Sequence, residues 1–230
     1  MSQHNKTVIA IHGAGMNAGV WGTLAPELAC RAISLPGHGE TPGPLLPSIG
    51  AMAEWVETQI KDYPAKSVVL MGHSMGALVA LEAARHPAVA ALVLMGAAVH
   101  MPVHPDLLKQ ASEAPSAAAG MILKWGVSSA HSQVAEALRS QMQPAALAND
   151  LTACNNYQNG AAAAKAVRQP VLVLSGSDDK LTKAADGRAL TDALPHARFH
   201  LIAGSGHMLM VEDPLETARE ISTFIASLNS

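Results

Sequence analysis

Residues 72–76 read Gly72-His73-Ser74-Met75-Gly76, between the apolar run Ser67 to Met71 and the stretch ALVALEAARH of residues 77–86. A serine flanked by glycines where a strand gives way to a helix marks a sharp turn. The apex residue takes a strained backbone, and the residues two positions away must be small for the chain segments to pass. Such a turn holds the Ser74 hydroxyl clear of the sheet edge. It also leaves the N–H of Met75 at the start of a helix, where unbonded N–H groups and the helix dipole favour an anion. In isolation the five residues fit any glycine-rich loop. A strand before and a helix after give them the context of a nucleophile beside half of an oxyanion site.

Outward from this turn, apolar runs recur at Val8 to Ile11, Ser67 to Met71, Ala91 to Met95, Val171 to Leu174 and Arg198 to Ile202, with a weaker one at Arg31 to Leu35. Most are continuous rather than alternating, as in strands covered by helices on both faces. Helical stretches with recognisable ends lie between them: Pro214 follows Asp213 as a first helical residue follows its cap, and Pro87 comes just beyond a helix ending near Arg85. The pattern predicts an α/β chain with a mainly parallel sheet of about six strands. It breaks between residues 97 and 165, where Pro102, Pro105, Pro115 and Pro144 punctuate helical pieces such as AEALRSQM and PAALANDL. Alanine tracts at 117–119 and 161–164 fit packed small helices, alanine being the best helix former. The expected organisation is therefore a core of residues 1–96 and 166–230 with a helical insertion over 97–165.

Composition narrows the function. The 230 residues are 49% hydrophobic and 14% charged, enough apolar content for one sizeable core. A net charge of −3, with no cationic run, argues against nucleic acid as a partner. Two cysteines, Cys30 and Cys154, make neither a disulfide framework nor a zinc site, and no stretch reads as a signal peptide or membrane span. The chain reads as a cytoplasmic, soluble protein without membrane insertion.

A serine hydroxyl needs a base, and the base needs an orienting group. Of eleven histidines, His207 stands out, because GSGH follows the Arg198 to Ile202 strand and precedes the terminal helix, on the same sheet edge as Ser74. His73 reads as structural, its side chain projecting away from the turn. His100 and His104 have ligand spacing, but Pro102 separates them and no acidic partner is evident, so no metal site is expected. The others, including His86, His131 and His196, read as surface or loop residues. The acid belongs at the end of the Val171 to Leu174 strand, where SDDKLT offers Asp178 and Asp179, one to orient the imidazole and one to turn the loop.

A second oxyanion N–H belongs to the glycine-rich loop IHGAGMNAGVW, residues 11–21. Its glycines also invite a dinucleotide-binding reading. However, Gly19 falls one residue late for that fingerprint, and the next strand ends in SLPGHG without an acidic residue to hold a ribose.

Taken together, HGAG (12–15), LPGHGE (35–40), GHSMG (72–76), GSDD (176–179) and GSGHM (204–208) resemble the α/β-hydrolase fold family across nearly the whole chain, in the order nucleophile, acid, base. The resemblance implies Ser74 as nucleophile, Asp179 as the acid counted from Gly176, His207 as base, and the N–H groups of Ala14 and Met75 as the oxyanion hole. The 97–165 insertion becomes a cap over the pocket. Ser34 departs from the family pattern, which often has Asp there, and the chain begins at what resembles the family's third strand, so a six-stranded sheet is expected. The implied chemistry is acyl transfer without cofactor or metal.

The fold does not fix the substrate. Met16 and Met208 adjoin the catalytic loops and Met101, Met121 and Trp125 lie in the insertion, a pliable apolar lining suited to acyl chains. The expected partner is a small-molecule apolar acyl substrate, and the favoured activity is a carboxylesterase for small to medium acyl esters. A lyase or carbon–carbon hydrolase with the same three residues, and a fold member that only binds a ligand, are the alternatives.

Overall fold

The structure, a computed structural model, describes residues 6–228. Six strands, β1 (Thr7–Ile11), β2 (Cys30–Ile33), β3 (Val68–His73), β4 (Val89–Met95), β5 (Val171–Gly176) and β6 (Ala197–Ile202), form one sheet in the order β2-β1-β3-β4-β5-β6. Every adjacent pair is parallel. The six apolar runs of the sequence are these six strands, each shifted by three residues or fewer. Their continuous hydrophobicity follows from burial on both faces: Ile9, Ile11, Leu70 and Leu92 point into one apolar cluster, while Val8, Ala10, Val69 and Val93 point into the other.

The helices are α1 (Ile49–Ile60), α2 (Met75–Ala83), α3 (Pro105–Glu113), α4 (Pro115–Gly126), α5 (Val134–Arg139), α6 (Pro144–Asn156), α7 (Gly160–Ala166), α8 (Ala184–Ala193), α9 (Leu209–Glu212) and α10 (Pro214–Ser227). Helices α3 to α7 all lie between β4 and β5. The prolines that break up this segment are mostly starts: Pro105, Pro115 and Pro144 each occupy the first turn of a helix, where a missing N–H costs nothing. Asp213 caps α10 as its sequence predicts, its side chain accepting the Glu216 N–H at 3.2 Å. Among the described residues no helix is long and apolar enough to cross a membrane.

The strand order also places the site. From β1 the chain moves outward to β2 and then crosses back to β3 on the other side, so the loops leaving β1 and β3 diverge at their carboxyl ends. Such a switch point opens a crevice between neighbouring parallel strands. The loop beginning at His12 and the turn at Ser74 are the two that meet there.

Candidate active site

Ser74 has φ 52° and ψ −117°, a left-handed backbone that costs a non-glycine residue on the order of 1–3 kcal/mol. The surrounding glycines make the turn possible. A Cβ at Gly72 would overlap the Gly76 carbonyl, and one at Gly76 would overlap the carbonyls of Ile11 and His12. The turn is pinned where Ser74 N–H donates to Met95 O at 2.9 Å, and α2 begins immediately afterwards.

The loop after β1 runs close alongside. A Cβ at Gly13 would lie 2.8 Å from His73 Nδ1 and 3.3 Å from Ser74 Cβ. Among the described residues, the N–H groups of Ala14 and Met75 donate to no protein acceptor. Two unbonded donors thus flank the serine, one from each strand of the switch point. Together they can stabilise an oxyanion.

On the other flank, His207 Nδ1 donates to Asp179 Oδ2 at 2.7 Å. Oδ2 also accepts the Thr182 hydroxyl at 2.8 Å, and Oδ1 accepts the N–H groups of Leu181 and Thr182 at 2.8 and 2.9 Å. Burial alone would raise the Asp179 pKa. The charge of His207 and these hydrogen bonds outweigh it and hold the carboxyl below its ordinary value. Asp178 does something else: it is exposed and accepts the Ser177 hydroxyl at 2.8 Å, a turn residue. The Thr182 hydroxyl also lies 3.2 Å from His207 Nδ1. His207 Nε2 has no hydrogen-bond partner among the described residues, and Ser74 and His207 line the same cavity.

The sequence matches the Alpha/beta hydrolase family over residues 8–220. The chain belongs to this family. It is 32% identical to the pimeloyl-[acyl-carrier protein] methyl ester esterase of Aromatoleum aromaticum, over 92% of this chain and 94% of the relative. It is 29% identical to the protein of the same name from Methylococcus capsulatus, over 98% and 97%. Among solved structures, a thermophilic esterase superposes with a TM-score of 0.85 at 25% identity, over 97% of this chain and 91% of the other.

In this α/β-hydrolase the cavity over Ser74 is about 420 Å³, walled by Met16, Met101, Leu107, Ile122 and Met208, with half-exposed Trp125 also on its lining. Met121 does not line it. Ile122, one position and about 100° further round α4, takes that place. A larger concavity of about 850 Å³ lies at the opposite edge of the sheet, among Lys66, Arg85, Arg168 and Arg198, and shares no lining residue with the cavity over Ser74. One of its cations complements a helix end: Arg168 donates to the Lys165 and Val167 carbonyls where α7 stops.

Ser34 replaces the expected carboxylate with a hydroxyl that accepts the Ala18 N–H at 2.9 Å, so an acceptor is still present. His104 has an acidic neighbour after all, Asp106 at 3.6 Å, but both are exposed. Among the described residues the grouping suited to a metal ion is instead His200, Glu216 and Glu220, and Arg219 is hydrogen-bonded to both of those carboxylates. His73 does not project away from the site. Its ring packs 4.7 Å from that of His207, and its Nε2 donates to the His207 carbonyl at 3.0 Å. Burial and the neighbouring His207 push its pKa down to about 3, so it is a neutral brace.

Four buried residues escaped the sequence reading. His12 and His38, which by sequence belong with the surface or loop histidines, are fully buried with rings 4.8 Å apart. His12 Nε2 accepts the Leu35 N–H at 3.1 Å, so its proton is on Nδ1, which donates to the Gly13 carbonyl at 2.9 Å. Burial and His38 lower its pKa to about 4. Asp150 in α6 joins His38 Nε2 at 2.9 Å. Glu212 ties down the loop of the base by accepting the N–H groups of Gly206 and Met208, both at 2.9 Å, and that of Ser128 at 2.8 Å. Neither carboxylate lies in a motif, so no local signal marked them.

Proposed function

We propose that the protein is a serine carboxylesterase acting on small to medium acyl esters through an acyl-enzyme on Ser74. The observation carrying this reading is the convergence on one cavity of a strained serine, an Asp179-paired His207 with a free ring nitrogen, and two unbonded N–H groups. Ser74 Oγ attacks the ester carbonyl carbon while His207 Nε2 takes its proton. Negative charge then collects on the carbonyl oxygen, facing the N–H groups of Ala14 and Met75. Asp179 keeps the proton-bearing Nδ1 in place and offsets the imidazolium charge. Collapse expels the alcohol, protonated from Nε2. Water, deprotonated by the same nitrogen, attacks the acyl carbon, and Ser74 regains its proton as the acid leaves. Each step consumes what the previous one leaves behind, so no cofactor is needed.

The insertion acts as a cap whose Met101, Leu107 and Ile122 meet the acyl chain. The relatives' names, pimeloyl-[acyl-carrier protein] methyl ester esterase, point to a methyl ester of an acyl group as the substrate class, and the methionines and aliphatic side chains of the cavity support that reading. Ser74→Ala should lower ester turnover by a factor on the order of 10⁴ to 10⁶ with the fold intact. Mass spectrometry of wild type during turnover of methyl and nitrophenyl esters should show an acyl adduct on Ser74. Hydrolysis by Ser74→Ala within tenfold of wild type, or turnover without an adduct on a substrate chosen for slow deacylation, would sink the reading.

A further inference from the structure

The oxyanion loop is not held by the core alone. Gly15 has φ 62°, and its peptide groups are gripped by the insertion: its carbonyl accepts the Gln143 N–H at 2.6 Å, and its N–H donates to Asp150 Oδ2 at 2.8 Å. A Cβ at Gly15 would lie 2.7 Å from Leu147 of the same helix, so α6 packs directly on the loop. Asp150 is fully buried, and its Oδ2 also meets His38 Nε2 at 2.9 Å, while His38 Nδ1 faces the Pro36 carbonyl at 3.1 Å.

We infer that Asp150, contributed by the helical insertion, is a positioning residue that holds the oxyanion loop in its working shape through the Gly15 N–H. The inference rests on the serine acyl-transfer reading of the site. Ala14, whose N–H faces the developing charge, is flanked by two peptide units. In the first, the Gly13 carbonyl and the Ala14 N–H point in opposite directions across a trans bond, so the His12 hydrogen bond to Gly13 O aims the Ala14 N–H the other way. In the second, Ala14 C=O and Gly15 N–H share a plane that Asp150 fixes. With both planes set, the Ala14 donor cannot rotate. Release of Asp150 frees the second plane, and the Ala14 Cα, to which the first plane is attached, can then shift and carry the donor out of line.

The contact depends on a carboxylate in a way that an amide cannot replace. Oδ2 receives donors from both sides, Gly15 N–H and the His38 ring. An asparagine oxygen there would accept Gly15 but would leave His38 without a counter-charge, whereas its NH₂ would oppose the Gly15 donor. With the oxygen toward Gly15, a neutral His38 has one proton for two acceptors, the amide oxygen and the Pro36 carbonyl, and with the NH₂ there the Gly15 bond is broken, so one hydrogen bond of the chain is lost either way.

Asp150→Asn should therefore lower kcat for a neutral nitrophenyl ester about tenfold to a hundredfold, less than outright loss of an oxyanion donor, with KM within about twofold. Affinity for a trifluoromethyl ketone, which forms a tetrahedral oxyanion adduct on Ser74, should fall in parallel. Tyr157→Phe serves as control, since it removes a 2.8 Å bond from the insertion to Glu82 without touching the loop, and it should leave kcat within twofold. Unchanged kcat and inhibitor affinity in Asp150→Asn would overturn the inference, as would a loss confined to KM and equalled by Tyr157→Phe. Hydrogen exchange on the wild type reads the same contact without a variant: the Gly15 amide should be protected and the Ala14 amide not, and an unprotected Gly15 amide would overturn the inference even if Asp150→Asn failed to fold. Activity in Ser74→Ala would remove the serine reading while leaving the Gly15 contact readable. A dead Ser74→Ala beside an unimpaired Asp150→Asn would remove only the positioning role.

Discussion

Among the described residues are two buried aspartate–histidine pairs of almost the same length, Asp179 with His207 at 2.7 Å and Asp150 with His38 at 2.9 Å. They differ at the far side of the ring. Among the described residues His207 Nε2 has no partner and lies beside the cavity, so it can take up a proton there, whereas the second nitrogen of His38 faces the Pro36 carbonyl. Burial acts against charge on His38, but the Asp150 hydrogen bond and charge and the backbone carbonyl outweigh it and raise the His38 pKa. The lesson is that the same pair chemistry suits a proton relay or a clamp, and the occupancy of one ring nitrogen separates the two.

The largest test of this contrast is an amide in place of each neighbouring carboxylate on the relay side. Asp179 accepts four donors, so the NH₂ of Asp179→Asn faces either the Leu181 and Thr182 N–H groups or, turned the other way, His207 Nδ1. Steady-state kinetics should show a loss of roughly 10³ to 10⁴ in turnover. Asp178→Asn, altering only an exposed turn, should stay within a few-fold. The reverse result would transfer the orienting role to Asp178 and break the comparison.

A smaller effect is expected at Glu212, which accepts N–H groups from the loop of His207 much as Asp150 accepts one from the loop after β1. Glu212→Gln sets an amide among three N–H donors, and urea unfolding should show a loss of about 2–3 kcal/mol. An unchanged midpoint would mean that the loop of His207 is held by other contacts, such as its own N–H to the Gly126 carbonyl at 2.6 Å.

A pH-dependent effect separates neutral from charged histidines. His73 and His12 have native pKa values pushed down to about 3 and about 4, so between pH 6.5 and 4 the unfolded chain binds protons that the folded chain refuses. Stability therefore falls as pH drops through that window, by up to about 1.4 kcal/mol per pH unit for each ring. His38 has the opposite sign: its contribution is full below 6.5 and is lost as pH rises through its raised native value. Urea midpoints measured from pH 4.5 to 6.5 should show a shallower slope in His73→Gln than in wild type. An identical slope would show that His73 is not held neutral.

Much of this architecture was legible in residue order. Strand after strand could be read because burial on both faces requires a continuous apolar run, and the turn at Ser74 because only glycine fits where backbones nearly touch. The positions of Asp179 and His207 were readable for a related reason: each lies in the loop leaving a strand, so the sheet carries it to the same edge as Ser74. His73 was misjudged because a turn motif gives the backbone path but not the neighbour waiting across it. Met121 was misjudged because one position along a helix rotates a side chain out of the cavity.

What the sequence by itself determined is what short-range periodicity encodes: the strands, the helix starts, the elbow and the residues at strand ends. Only the tertiary structure decided that Asp150 meets Gly15 across 135 positions and His38 across 112, or that Glu212 meets Ser128 across 84. Such contacts leave no local signature. A carboxylate in a helix has the same sequence neighbours whether it faces water or a buried N–H, and only the packing of α6 against the loop after β1 makes Asp150 the latter.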